Sequence, residues 1–288
     1  MRRKLPTMLA ALAAATGLTA GGLATAQAAG ASETGTVGVK TVSYGTHGEA
    51  NLMDVYTPPS AVGKKGRKLP TVVLVHGGSW IKGDKSNLED QARQFAREGY
   101  MAVSINYRLA TEAVWPAQRT DVLQVRDYLQ HHQYSMNVDA SRVVLIGSSA
   151  GAQIAAATAM YHHGSDLFKG VVGLSGPLDP GRVSLDPAHG LDAVVNTTLL
   201  GCLPIVCPSL YNSANAINRI NRHDPSSLMF ASEHEWLDPQ NSVDFVAKAK
   251  SVGLKSRMVW MSGSQHAVDY WDRAWPTIKS WVATTLKK

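Results

Sequence analysis

Residues 142–151 read "RVVLIGSSAG", an apolar run that stops at two serines held between glycines. The spacing G-x-S-x-G falls on Gly147, Ser149 and Gly151, which selects Ser149 and leaves Ser148 as its neighbour. Such a serine attacks a carbonyl carbon when a sharp strand-to-helix turn lifts its hydroxyl above a sheet. The turn leaves no room for side chains on either side, hence the glycines, and the helix that follows turns its positive end toward the hydroxyl. The pattern alone is weak. Its context is stronger, because "RVVLI" reads as a strand and "AQIAAATAM" as a helix. The plainer alternative is a small-residue turn for close helix packing.

A serine nucleophile needs a base, a group that orients the base, and donors for the oxyanion. Of ten histidines, His266 alone falls in the loop between the last strand-like run, "SRMVWMSG", and the closing helix. This is where the base of a strand–elbow–helix hydrolase belongs, last in chain order. For the orienting acid, "SEHEWLDP" offers Glu233, Glu235 and Asp238. Asp238 precedes Pro239 and a polar helix start, so helix capping explains it without catalysis. Glu235 lies three residues past the strand end and is preferred, with Asp238 kept open. Upstream, "VVLVHGGSW" ends a buried strand in His76-Gly77-Gly78. Paired glycines let backbone N–H groups approach a substrate oxygen, so Gly77 or Gly78 together with Ala150 would form the oxyanion hole. His76 is read as structural. Trp80, Tyr107, Trp115 and Trp236 fall near the expected mouth; for each, lining an acyl or aryl pocket and packing a loop onto the sheet stand about equal.

These residues require a scaffold, and the chain supplies its signals. Two opening strands, "VGVKTVSYG" and "NLMDVYTPP", precede six short Val/Ile/Leu/Met-rich runs, each ended by Gly, Ser or Asn. Such runs suit strands buried on both faces of a parallel sheet. Helical stretches lie between them, with Pro116 opening one and Gly99, Gly164 and Gly253 closing three. The fold class expected is α/β, a mostly parallel eight-stranded sheet with helices on both faces. Residues 177–225 break the alternation and are read as an irregular, cap-like or lid-like excursion within one domain, 29–288.

The N-terminus reads separately. Arg2, Arg3 and Lys4 precede an Ala/Leu-rich stretch that ends in Ala26-Gln27-Ala28, an A-x-A cleavage pattern, so residues 1–28 read as a signal peptide of a secreted protein. The twin arginine is compatible with a Tat route. No stop-transfer pattern follows, and no stable membrane anchor is expected. Loss of residues 1–28 takes the formal charge from +6 to +3, without charge runs, which gives no support for nucleic acid or another polyanion as partner. The two cysteines, Cys202 and Cys207, are expected to pair in a disulfide that staples a small loop. They make a poor metal site, and no metal or organic cofactor is implied.

With these residues placed, the chain resembles the α/β-hydrolase fold esterases and lipases, more narrowly the hormone-sensitive-lipase-like and feruloyl-esterase-like branch. The residues that carry the resemblance are "HGGSW" (76–80), "INYRLA" (105–110), "WPAQRTD" (115–121), "VDASRVVLIGSSAG" (138–151) and the His266 loop. It departs from that pattern at Ser148, where relatives often have His, at Ala152, where a second Gly is common, and at Ser79, where the lipase-like branch has a third Gly. Ser79 draws it toward the HGG-x-W esterases. The resemblance aligns Glu235 with the family's usual aspartate, while the aspartate of most members keeps Asp238 in play. It implies a serine hydrolase of small-molecule carboxylic esters that works through an acyl-enzyme on Ser149. Peptidase or amidase activity, including an arylformamidase-like role, is the alternative on the same residues. A catalytically inactive binding protein of the same fold is the remaining one.

Overall fold

A strand whose successive side chains are all apolar must be covered on both faces, and that requirement organises this chain. The computed structural model describes residues 34–161 and 164–287. The expected signal peptide, residues 1–28, lies outside the described residues, as do His162 and His163. The strands are β1 (Gly38–Ser43), β2 (Leu52–Thr57), β3 (Leu69–Val75), β4 (Met101–Ile105), β5 (Val138–Ser148), β6 (Gly170–Leu174), β7 (Ser226–Ser232) and β8 (Ser256–Met261). They form one eight-stranded sheet in the order β1-β2-β4-β3-β5-β6-β7-β8. β2 runs antiparallel to both β1 and β4, and the remaining pairs are parallel. The expected α/β sheet is therefore present.

The helices are α1 (Glu89–Arg97), α2 (Ala117–His131), α3 (Ala150–Ala159), α4 (Pro180–Val183), α5 (Leu191–Ala193), α6 (Pro208–Ala214), α7 (Ala216–Arg219), α8 (Gln240–Ser251) and α9 (Trp271–Leu286). Strand residues alternate between two cores, as a period of two requires. Val73, Val75 and Val103 pack with Val122 and Val125 of α2, Ile154 of α3 and Phe245 of α8. Val72, Leu74 and Ala102 pack with Phe95 of α1 and with Trp271, Ile278 and Val282 of α9. Each fully buried Val or Leu contributes about 1.5–3 kcal/mol, so the two helical layers hold the sheet between them.

Helix ends follow the expected signals in part. Gly99 and Gly253 sit just past α1 and α8 with φ of +86° each. α3 stops at Ala159, five residues short of Gly164. Pro116 is the residue before the first turn of α2 rather than within it.

Because β3 pairs with β4 on one side and β5 on the other, chain order reverses between β3 and β5. In open α/β sheets the crevice outside the strand ends at such a point is where ligands bind. His76-Gly77-Gly78 follows β3, and Ser149 follows β5. The topology alone therefore brings the two glycine-bearing turns side by side.

Residues 177–225 carry α4 to α7, and they are not a detached flap. Leu178, Val195, Leu199 and Ala214 are buried in the same core as α2 and α3. The helical stretch 208–219 is split into α6 and α7 at Asn215, whose side chain accepts from the N–H groups of Ile217 and Asn218. Cys202 and Cys207 form a disulfide, with Leu203, Ile205 and Val206 exposed on the loop it closes.

The loop after β4 is fixed by one ion pair. Asp121 on α2, fully buried, accepts from the Arg108 backbone N–H at 2.8 Å and from its guanidinium Nη2 at 2.6 Å. Removing one partner of a buried pair costs about 3–5 kcal/mol because the other is left uncompensated. Asp121→Ala is thus expected to lower the melting temperature by about 10 °C. A thermal melt unchanged from the parent would show that the pair is dispensable.

Candidate active site

The turn from β5 to α3 shows why its sequence is Gly147-Ser148-Ser149-Ala150-Gly151. A Cβ on Gly147 would run into the carbonyl of Gly151 and the backbone of Ala152. One on Gly151 would run into the carbonyls of Val75 and His76, at the end of β3. Ser149 itself is held at φ +53°, ψ −121°, a conformation few non-glycine residues adopt. Such strain costs about 1–3 kcal/mol and persists only where the surroundings impose it. Here the Ser149 N–H is tied to the Leu174 carbonyl of β6 at 2.8 Å.

The strained turn aims Ser149 Oγ at His266 Nε2, 2.9 Å away. His266 Nδ1 lies 2.8 Å from Glu235 Oε2. Glu235 Oε1 accepts from the backbone N–H of Ser232 at 3.0 Å, and the carboxylate side chain is only 1% exposed. A carboxylate that accepts on both oxygens requires a proton on Nδ1. Nε2 is then left with its lone pair toward the Ser149 hydroxyl. The three side chains come from the ends of β5, β7 and β8 and meet above the sheet. Such an arrangement can deprotonate a serine as it attacks.

Of the other carboxylates in the acid loop, Asp238 is turned away from His266. Its Oδ1 accepts from the Gln240 N–H at 2.9 Å, at the entry to α8, and its Oδ2 faces Arg182 at 3.6 Å. This is the capping role that its sequence position suggests, although the helix itself starts at Gln240. Glu233 is exposed.

Gly77 lies against the serine turn: a Cβ there would sit 2.8 Å from the Ser148 carbonyl and 3.0 Å from Ser149 Cβ. Gly78 has φ +117°, and any side chain would strike the Lys82 carbonyl. Ala150 opens α3, so its N–H is one that the helix leaves without an internal partner. Gly77 and Ala150 thus lie beside Ser149, and Gly77 and Gly78 line the cleft above it. His76 is buried as expected, bonded through Nδ1 to the Gly77 carbonyl at 2.7 Å and stacked on Tyr107 at 4.4 Å. Burial holds its pKa below the usual imidazole value. It holds the Gly77 turn and is not bonded to Ser149.

The cleft above Ser149 has a volume of about 580 Å³ and is lined by Trp236, Val268 and Asp269 and by Lys82, Asn87 and Leu88. Of the four aromatics expected near its mouth, only Trp236 lines it, with its ring 4.7 Å from that of His266 and 5.2 Å from that of His189 in the 177–225 segment. Trp80, Tyr107 and Trp115 are fully buried and serve packing. Trp80 donates to Gln153 Oε1 at 2.9 Å, Trp115 to Ser213 Oγ at 3.0 Å, and the Tyr107 hydroxyl to the His76 carbonyl at 3.0 Å. Lys82, Asn87 and Asp269 join the site without a motif of their own. Their only signal in the sequence is nearness to the HGG turn and to His266. Among the described residues no group of three or more His, Cys, Asp or Glu is placed to hold a metal ion. Among the same residues no helix is long and apolar enough to cross a membrane.

Residues 53–249 match the family model BD-FAE. Esterase LipQ of Mycobacterium tuberculosis is 30% identical over 120 residues, 41% of this chain and 28% of that protein. Esterase LipC of the same organism is 24% identical over 242 residues, 78% of this chain and 59% of its own length. This chain thus spans less than two thirds of the length of each of these curated relatives. Among solved structures, a truncated carbohydrate esterase from gut microbiota superposes with a TM-score of 0.73 at 19% identity, covering 88% of this chain and 97% of that one.

Proposed function

This chain belongs to the BD-FAE family and has the α/β-hydrolase fold; on that premise we propose that it hydrolyses carboxylic esters, with Ser149 as nucleophile, His266 as base and Glu235 as the orienting acid. The observation that carries the reading is His266 held between Ser149 Oγ at 2.9 Å and Glu235 Oε2 at 2.8 Å. Ser149 Oγ attacks the ester carbonyl carbon as its proton passes to His266 Nε2. The carbonyl oxygen takes the negative charge and is received by the N–H groups of Gly77 or Gly78 and Ala150. The carbon–oxygen bond to the alcohol breaks as Nε2 returns the proton to the departing oxygen. Water then loses a proton to Nε2 and attacks the acyl carbonyl, and Ser149 leaves with that proton. Glu235 keeps the imidazole in the tautomer that can accept, and stabilises it once charged.

The shape of the cleft bears on the acyl group. Trp80, Trp115, Leu178 and Leu199 are buried in the core that residues 177–225 share, and none of them lines the cleft. Both halves of the ester share the open cleft. Short acyl esters are therefore the substrates we expect. In a series of p-nitrophenyl esters, kcat/KM should peak at two to four carbons and fall about ten-fold or more by twelve, a loss of about 1.4 kcal/mol in transition-state binding. A steady rise with chain length would instead require an acyl tunnel. Covalent labelling by a fluorophosphonate, mapped by mass spectrometry to Ser149, tests the reading as a whole; a label elsewhere, or none on active enzyme, overturns it.

The same reading extends to place and architecture. The A-x-A-ended N-terminus and the paired cysteines support an exported enzyme, 29–288 after removal of residues 1–28. The contact between His189 and Trp236 supports a cap role for 177–225 at the cleft mouth.

A further inference from the structure

The loop that carries His266 is held on both sides by hydroxyl groups that the chemistry above does not use. The peptide group before His266 presents the Gln265 carbonyl, and Ser232 Oγ donates to it. The peptide group after His266 presents the Ala267 N–H, which donates to Ser175 Oγ at 3.1 Å. Ser175 Oγ is in turn 2.8 Å from the Tyr270 hydroxyl. Ser175 follows β6 and Ser232 ends β7. Both serines and Tyr270 are buried, at 1%, 0% and 1% exposure.

We infer that Ser175 and Ser232 are positioning residues that clamp the two peptide groups flanking His266 and so set the imidazole between Glu235 and Ser149. The inference rests on the proposed role of His266. Three observations converge on it. First, Ala267 has φ +52° and Ser175 φ +48°, left-handed conformations that are unfavourable for a non-glycine residue. The Ala267–Ser175 bond joins these two strained residues directly, so each holds the other in place. Second, Ser232 serves both the acid and the loop that carries the base. Its N–H fixes Glu235 Oε1 while its hydroxyl fixes Gln265, which locks the acid and the base to one residue of β7. Third, the rest of the loop is open to water: Ser262, Gly263, Ser264 and Gln265 are all exposed. Other bonds hold the loop at a distance from the imidazole: the His234 N–H donates to the Gly263 carbonyl, and Arg273 donates to Ser262 and to Gln265 Oε1. Among the described residues, the side chains that bond the peptide groups flanking His266 are those of the two serines.

A buried hydroxyl could equally serve stability alone, and the two roles separate experimentally. Ser175→Ala, Ser232→Ala and Tyr270→Phe would be assayed on a short-chain p-nitrophenyl ester, with active sites counted by fluorophosphonate titration. The clamp predicts that kcat per titrated site falls about ten- to a hundred-fold for each serine variant, since small misplacement of a catalytic group carries that penalty. KM should stay within about two-fold. Tyr270→Phe, which leaves Ser175 Oγ free to accept from Ala267, should lose less than Ser175→Ala. Ser232→Thr restores a hydroxyl at the same carbon and should recover most of the rate. A parental kcat per site in both serine-to-alanine variants, whatever their melting temperatures, overturns the clamp. Turnover in Ser149→Ala close to the parental rate would instead overturn the underlying reading, so the two failures are told apart. If a serine variant does not fold, the Ser232→Thr and Tyr270→Phe comparisons still decide: Ser232→Thr well below the parent, or Tyr270→Phe as impaired as a dead site, overturns the clamp.

Discussion

Ser149→Ala is expected to lower kcat by about 10⁵–10⁶-fold, the scale on which a serine hydrolase loses its nucleophile. The substitution removes one oxygen and little else. Alanine tolerates the φ of +53° no worse than serine, and the Ser149 N–H bond to Leu174 is untouched. The oxyanion donors at Gly77, Gly78 and Ala150 remain, so substrate should still bind with a similar KM and residual hydrolysis should stay above that in water. Ser148 cannot substitute. It ends β5 one residue earlier, and the imidazole is bonded to Ser149, not to it. The measurement is steady-state turnover of a p-nitrophenyl ester together with loss of the fluorophosphonate adduct. Retention of both would remove Ser149 from the mechanism.

How legible each part of the site is in the sequence depends on how local its determinants are. The β5–α3 turn is local: a buried run, two obligatory glycines and a small-residue helix lie within twenty residues, and each glycine has a steric reason. The HGG turn and the position of His266 follow from sheet topology, because alternating apolar runs dictate which loops reach the same edge. Glu235 is less legible. A glutamate reaches farther than an aspartate, and choosing it over Asp238 requires an argument about what else Asp238 does, namely cap the entry to α8. The aromatic wall is the least legible. Trp80, Tyr107 and Trp115 sit in loops near the mouth by sequence, yet each is buried by partners from remote segments, such as Ser213 and Gln153. Those partners lie 98 and 73 residues away, and no local pattern announces them. The serines at 175 and 232 are hidden for the same reason, since a serine at a strand end carries no signal until the loop it bonds is in place.

The choice of acid yields the second large effect. Glu235→Gln should reduce kcat by about 10³–10⁴-fold, and the cause is directional. Glu235 Oε1 receives the Ser232 N–H, and only an oxygen can fill that place. The glutamine carbonyl must therefore turn toward Ser232, which leaves its NH₂ facing His266 Nδ1. An NH₂ there can only donate, so Nδ1 must accept and the imidazole proton moves to Nε2. That proton then points at Ser149, where the lone pair is needed. The shape of the site is retained while its base is disabled, so KM should change little. Asp238→Asn presents the opposite case. Asparagine keeps an oxygen for the Gln240 N–H, and the substitution abolishes only a 3.6 Å ion pair to Arg182 in which the carboxylate is about half exposed. Pairs of that kind are worth roughly 0–1 kcal/mol, and kcat should stay within about two-fold of the parent. Assaying both variants side by side at neutral pH gives a contrast of about three orders of magnitude in one direction. The reverse contrast would move the acid to Asp238 and would require the loop after β7 to refold by three residues, against the bonds that now tie Glu235 to Ser232 and His266.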